Sequence, residues 1–315
     1  MDSPFPSAFT AKVHDIYGGE AAAFLAAMGP KTRIGFRVNP LRAEPEATLA
    51  SLASLHPEPV PWCPHGYTIA AQDRDALTHH ATAEDGRIYI QNPSTWLPVL
   101  ALGVAPGMRV LDLAAAPGGK ALHMAALLQG EGELSAIEPV RGRFFRLKAN
   151  VERAAAPNVR LFNKDGRGVG KAVPEHFDRV MLDAPCSSEA RFRHDDPASW
   201  AHWKPGKVKE ARHKQTGLIR AAWDALKPGG RMIYATCAVS PEEDEGVLKR
   251  LLRYAPDAEV LPVQVPDGVP SRPGLISWQG RALPEACVHA VRVLPDPTLL
   301  DPFFFALIGK PHTAA

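Results

Sequence analysis

Cysteine is scarce. The 315 residues hold four, Cys63, Cys186, Cys237 and Cys287, far apart and without a C-x-x-C pair. That is too few and too scattered for a disulfide scaffold or a zinc site, and it implies reduced thiols, no bound metal and a cytoplasmic setting. No apolar run approaches the roughly 20 residues that cross a bilayer. The start, MDSPFPSAFT, lacks the basic region followed by an apolar core of an export signal, so a soluble chain without a membrane partner is expected. Charge of one sign is missing too: 36 Lys and Arg stand against 34 Asp and Glu, a balance that neither demands nor excludes a polyanionic partner. No internal repeat stands out, and the 31 prolines are dispersed, with clusters at 57–64 and 262–273 that read as connections. What is present is 45% hydrophobic and 22% charged, enough for one large domain and a smaller appendage.

The chain is organised around Val110 to Lys120, VLDLAAAPGGK. Strand-forming residues run into a turn of small residues, and Gly118-Gly119 opens an apolar helical pattern through Leu122, Met124, Ala125 and Leu128. Alanine and glycine in such a turn let backbone N–H groups and a helix N-terminus approach a ligand closely. A nucleotide-like cofactor is expected there. The turn lacks the G-x-G-x-x-G and G-x-x-x-x-G-K-[ST] spacings, which disfavours pyrophosphate. Without a ligand, the same turn would serve only to pack a helix closely on a strand.

Residues 8–28 carry one amphipathic helical pattern ended by Gly29-Pro30, followed by the alternating strand IGFRVNPL, the short helix EATLASLASL and the strand YTIA. These make a small α+β module over 1–75, in which Arg33, Arg37 and Arg42 either grip substrate or simply belong to a stabilising cap. From 76 to 315 the chain alternates β and α. RIYIQNPSTWLPVLALG gives an extended run and then a helix with Ser94 as a possible N-cap. After the central strand, ELSAIEP (133–139) ends at Glu138, VRLFNKD (159–165) at Asp165, the strand in FDRVMLDAP (177–185) at Asp183 and GGRMIYATC (229–237) at Cys237. Helices fall at 140–155 and around 212–226, and ACVHAVRVLP with DPFFFALIG reads as an antiparallel closure. The fold class is therefore α/β, a doubly wound, mostly parallel sheet with its ligand at the carboxyl ends of the strands.

Glu138 is placed to accept both hydroxyls of a ribose, and Asp165 to receive an adenine amino group, although either residue could instead cap a helix. An adenosine without phosphates suggests S-adenosylmethionine. Cys186 in DAPCSSE and Cys237 in ATCAVSPEEDE each open a loop at the ligand edge, and at least one is expected to be reactive. Ser240, Pro241 and Glu243 read as the N-cap, first position and capping-box glutamate of a helix just beyond Cys237. Between 191 and 214, seven Lys/Arg face three acids with Trp200 and Trp203 interleaved. This is either an exposed charged helix face or a surface that tracks a nucleic-acid backbone and stacks an unpaired RNA base.

These motifs resemble the RNA 5-methylcytosine methyltransferases, the RsmB/Nop/NSUN family. LDLAAAPGGK is similar to its cofactor motif, DAPCSSE to its proline-cysteine motif and KPGGRMIYATCAVSPEEDE to its threonine-cysteine motif. FRVNPL, QNPSTWLP, RHKQTGLIRAAWDALKPGG and DPFFFALIGK sit in family order. The resemblance implies a Rossmann-like class I methyltransferase that moves a methyl group from S-adenosylmethionine to carbon 5 of a cytosine in RNA, with rRNA expected first and tRNA as the alternative. It implies Cys237 as the nucleophile at carbon 6, Asp183 on the cytosine edge, Lys120 positioning the base and Cys186 assisting release. It also implies cofactor contacts from Ala114, Ala115, Ala116, Pro117, Gly118, Gly119, Lys120, Glu138, Arg143, Asp165 and Asp183. Ser188, Ala190 and Pro302 stand where the family commonly has glycine, which puts loop conformation and substrate fit at issue. No further RNA-recognition domain is expected after residue 310. Target choice would then rest on the amino-terminal module and the basic stretch of a monomer. Three rivals remain open: a DNA cytosine methyltransferase in which Cys186 attacks, a silent RNA-binding assembly protein, and a nicotinamide-dependent oxidoreductase.

Overall fold

The computed structural model describes residues 3–312. In the amino-terminal part, β1 (Arg33–Val38), β2 (Glu58–Pro59), β3 (Gly66–Ala70) and β4 (Ile88–Ile90) form an antiparallel sheet in the order β2-β3-β1-β4. Phe36, Val38, Leu52, Ile69, Leu77 and Ile88 pack its core. β4 lies beyond residue 75, so the small sheet draws in a strand that the sequence pattern groups with the larger unit. The single helix expected over 8–28 is two, Ser7–Tyr17 and Ala21–Ala27. Gly18, at φ +54°, ends the first in a conformation that a residue without Cβ adopts at little cost.

The large sheet holds β5 (Arg109–Asp112), β6 (Glu133–Ile137), β7 (Val159–Phe162), β8 (Phe177–Asp183), β9 (Leu226–Thr236), β10 (Glu259–Leu261) and β11 (Ser271–Pro273). After a separate hairpin of β12 (Ser277–Trp278) and β13 (Arg281–Ala282), the chain returns with β14 (Val291–Val293) and β15 (Phe303–Gly309). The sheet order is β7-β6-β5-β8-β9-β15-β14-β11, with β10 on β15. The first five strands are parallel, and β15 closes antiparallel on β9. Successive residues bury on opposite faces: Val110, Met181 and Ile233 on one, Leu111, Val180, Leu182, Met232 and Tyr234 on the other. Helices cover both sides, which is why these strands read as apolar runs without alternation. From β5 the chain departs to β6 on one side and returns to β8 on the other. A ligand cleft opens at this reversal, beyond the strand ends.

Candidate active site

The bend between β5 and the helix Gly119–Leu127 is held from outside by its carbonyls. Arg143 Nη2 donates to Ala116 O, Asn150 Nδ2 to Pro117 O and Arg37 Nη2 to Gly119 O, each at 2.8 Å. Ala115 N donates to Ile137 O at 2.9 Å, tying the bend to the end of β6. Gly118 sits at φ +120°, where a side chain would be strained, and a Cβ on Gly119 would come within 2.8 Å of the Gln91 amide. Arg37 therefore does not reach outward toward substrate. It is buried, and its interior position on β1 gave no sign in the alternating pattern that it faces the bend. Arg33 and Arg42 are likewise engaged, with Thr68 and Glu58 and with Asp85 O respectively.

Two clefts meet at this bend. The larger, about 730 Å³, is lined by Ala114, Ala116, Pro117, Glu138, Arg143, Asp165, Asp183, Cys186 and Cys237 among others. Glu138 is 1% exposed; its Oε1 accepts from Val140 N at 2.9 Å, while Oε2 is buried without a hydrogen-bond donor and has only the guanidinium of Arg143 at 3.5 Å as an ionic neighbour. A buried carboxylate oxygen short of a hydrogen bond is costly, and this wall suits a ligand that brings hydroxyls. Asp165 is not a strand end as expected. β7 stops at Phe162, and Asp165 caps the turn Gly166–Gly168, with both oxygens receiving Arg167 at 2.6–3.1 Å. Those hydrogen bonds hold its carboxyl below the usual range. It lines the cleft from a half-exposed ion pair of the kind that contributes little stability and rearranges readily.

The smaller cleft, about 270 Å³, is lined by Gln91, Asn92, Asp112, Lys120, Asp183, Arg191, Cys237 and Phe303 among others. Lys120 Nζ donates to Asp183 Oδ2 at 2.6 Å and lies 5.1 Å from the Phe303 ring centroid. Asp112, which the sequence reading passed over, is 1% exposed, and burial followed by the charge of Asp183 pushes its carboxyl up to about 7 against the pull of Lys120. Cys237 lines both clefts, whereas Cys186 lines the larger. Their sulfurs are 3.1 Å apart. A hydrogen bond from Cys186, helped by Arg191 and Ser188, pulls the Cys237 thiol down although burial and Asp183 oppose it. Cys186, as the donor of a buried pair also facing Glu243 and Asp183, goes well up. The other two thiols, Cys63 and Cys287, are pushed by burial to about 12.

Ser188, where glycine is the pattern, takes the left-handed conformation itself, at φ +61°. Ala190 is buried and its N–H donates to Cys237 O at 3.0 Å. Three local expectations are corrected. Asn92, not Ser94, caps the turn before the helix Leu97–Leu102, its side chain accepting from Ser94 N. The helix beyond Cys237 begins only at Glu245, because Ser240 and Glu243 spend their side chains on the Cys186 loop and Gln215. Trp200 and Trp203 are half-buried against Phe5, Phe9 and Phe192, so Trp200 braces the amino-terminal helix, whereas Trp203 also lines a cleft of about 460 Å³ with Arg191, Lys207 and Lys214. The lysines of that stretch are exposed, Lys207, Lys209 and Lys214 on the helix Pro205–Ala225.

Residues 99–309 match the family model of 16S rRNA methyltransferase RsmB/F, and residues 5–93 match the N-terminal domain of 16S rRNA methyltransferase RsmF. The chain is 43% identical over 249 residues to the ribosomal RNA small subunit methyltransferase F of Cronobacter sakazakii, covering 76% of this chain and 52% of that protein. It is 40% identical over 270 residues to the protein of the same name from Escherichia coli K12, covering 82% and 56%. The chain thus spans about half the length of the curated relatives it matches. Among solved structures, a methyltransferase homolog protein from Pyrococcus horikoshii superposes with TM-score 0.82 at 30% identity, covering 97% of this chain and 95% of that one. The fold is shared as well with NSun6 from Pyrococcus horikoshii, solved with SFG, at TM-score 0.81 and 20% identity, covering 98% and 99%.

Proposed function

This chain belongs to the RsmB/F family of 16S rRNA methyltransferases, and from that membership we propose that it transfers a methyl group from S-adenosylmethionine to carbon 5 of a cytosine in RNA, with ribosomal RNA as the substrate. The observation that carries the reading is Cys237 standing where the two clefts meet, with the sulfur of Cys186 3.1 Å from its own. Carbon 5 of cytosine is too weak a nucleophile until a thiolate adds at carbon 6 and makes the ring an enamine. Cys237, the lowered thiol of the pair, is the group for that addition. The Lys120–Asp183 pair faces the smaller cleft, where Asp183 holds the cytosine edge and favours the proton at ring nitrogen 3 as negative charge builds. S-adenosylmethionine supplies the electrophilic methyl group from the larger cleft. There the Glu138 oxygen that lacks a hydrogen bond would accept a ribose hydroxyl, and the bend from Ala114 to Gly119 would hold the rest of the cofactor. After transfer a water molecule carries the carbon 5 proton to solvent, the C–H electron pair restores the carbon 5–carbon 6 double bond, and Cys237 leaves carbon 6 as a thiolate beside the thiol of Cys186.

The reading in which Cys186 attacks is disfavoured by its raised thiol and by its place outside the smaller cleft. RNA carrying 5-fluorocytosine cannot eliminate at carbon 5, so the enzyme stays covalently attached. Cys237→Ala should abolish that adduct and Cys186→Ala should keep it, read as a shifted band on a denaturing gel. The reverse pattern overturns the assignment, and bisulfite mapping of rRNA from cells lacking this protein identifies the cytosine.

A further inference from the structure

The two cysteines arrive on separate loops, one after β8 and one after β9, and a sulfur–sulfur distance of 3.1 Å requires those loops to be fixed against each other. Backbone contacts supply part of this, through Ala184 N to Ala235 O at 2.8 Å and Ala190 N to Cys237 O at 3.0 Å. The rest comes from two fully buried carboxylates that cross between the loops. Glu189, three residues after Cys186, accepts from Val239 N at 2.8 Å, Ser240 N at 2.9 Å and Ser240 Oγ at 2.6 Å, and from Trp203 Nε1 at 3.1 Å. Glu243, six residues after Cys237, reaches back to Ser187 N at 2.9 Å and to Gln215 Nε2 at 2.8 Å, and Gln215 donates also to Pro185 O at 3.1 Å. Each loop therefore holds the backbone of the other with a charged acceptor, the stronger class of hydrogen bond. Lys12, from the first helix, closes the set by donating to Ser240 Oγ at 2.7 Å.

We propose that Glu189 and Glu243 are positioning residues that lock the two cysteine loops in register, so that the thiol of Cys186 donates to the sulfur of Cys237. The inference rests on the methyltransferase reading for the use made of that sulfur. Glu243 also places negative charge near Cys186, which favours the neutral thiol there. The titratable groups around Glu243 are Glu189, Asp244, Tyr234 and Cys186. Its Oε1 has no hydrogen-bond donor, and burial pushes its carboxyl up to about 7, so its charge is present above that pH, where Cys186 ionises, and is lost below it.

The test is alkylation of the reduced protein with iodoacetamide from about pH 5.5 to about pH 11, over the span in which the folded protein is intact by circular dichroism, with Cys186 and Cys237 quantified separately by peptide mass spectrometry. In the unsubstituted chain Cys237 should react at lower pH than Cys186. Glu243→Gln should lower the Cys186 midpoint by about one unit, and Glu189→Gln should raise the Cys237 midpoint, because one amide oxygen cannot serve four donors. Both variants narrow the gap, and kcat for methyl transfer falls about tenfold or more with KM for RNA little changed. If Glu189→Gln does not fold, Ser240→Ala removes one of its four donors, along with the acceptor for Lys12, which keeps Glu242, and should narrow the gap to a lesser degree. A gap retained in the folded variants overturns the proposal. Methyl transfer measured in parallel separates the two claims. A narrowed gap in a protein that methylates no RNA supports the clamp and sinks the functional reading, whereas a retained gap in one that does methylate sinks the clamp alone.

Discussion

Asp112 and Lys120 bracket the bend, and their charges act on each other and on Asp183. The Asp112 carboxyl, about 3.9 in an unfolded chain, stands at about 7 when folded. The folded state thus binds the proton more tightly, so the contribution to stability is full below pH 4 or so and is lost as the pH rises toward 7, a few kcal/mol at most. Asp112→Asn should remove that slope: urea midpoints of the variant and the unsubstituted chain should converge below about pH 4, with the variant ahead near pH 8. Parallel curves would mean that Asp112 is not the proton holder. Lys120 acts on a different quantity. Its ammonium is the cation hydrogen-bonded to Asp183 in the smaller cleft, and Lys120→Met keeps the apolar stem over Phe303 while deleting the charge. Single-turnover methyl transfer should fall by about 100-fold or more, the usual cost of losing an electrostatic donor at a reacting group, while the fold stays intact by circular dichroism.

The bend from β5 into the helix Gly119–Leu127 shows what an element can demand of a single position. Gly118 at φ +120° admits no side chain without strain of about 1–3 kcal/mol. Gly118→Ala should therefore lower the melting temperature and weaken the rise in that temperature on adding S-adenosylmethionine, both read in one thermal-shift series. The bend, the parallel strands and both loop cysteines were legible in the sequence because small residues, apolar runs and strand ends are local signals. What escaped was decided by distant partners. Asp165 was assigned to a strand end, yet β7 stops at Phe162 and a capping turn takes over. Ser240 and Glu243 looked like a helix start, but their side chains are drawn across to the Cys186 loop and Gln215, and the helix waits until Glu245. Arg37 carried no local mark of its bond to Gly119, which spans 82 positions of chain.

At the scale of the molecule, the amino-terminal part is joined to the larger sheet by polar ties around the site. Lys12 reaches Glu242, Lys31 and Asn92 reach Asp301, and Asp301 takes Arg193 bidentately. Trp200 and Trp203 add apolar cover to the same junction. This arrangement fixes the amino-terminal part against the cleft, and it leaves Arg191 and the exposed lysines before and along the helix Pro205–Ala225 open to a polyanion. Lys207 is 3.9 Å from Glu210, too weak an ion pair to compete with phosphate, whereas Lys214 is paired to Glu210 at 2.8 Å. Replacing Lys204, Lys207 and Lys209 together should therefore flatten the slope of log affinity against log salt by about two units, at roughly 0.7 per phosphate contact on a single strand. The measurement is a salt titration of RNA binding by the intact chain and by the triple variant. Because the triple replacement leaves both tryptophans in place, the loss should be electrostatic, so affinities of the two proteins should converge at high salt. A slope unchanged by the triple replacement would assign RNA contact to another face, with the arginines of the helix Arg141–Arg153 next in line.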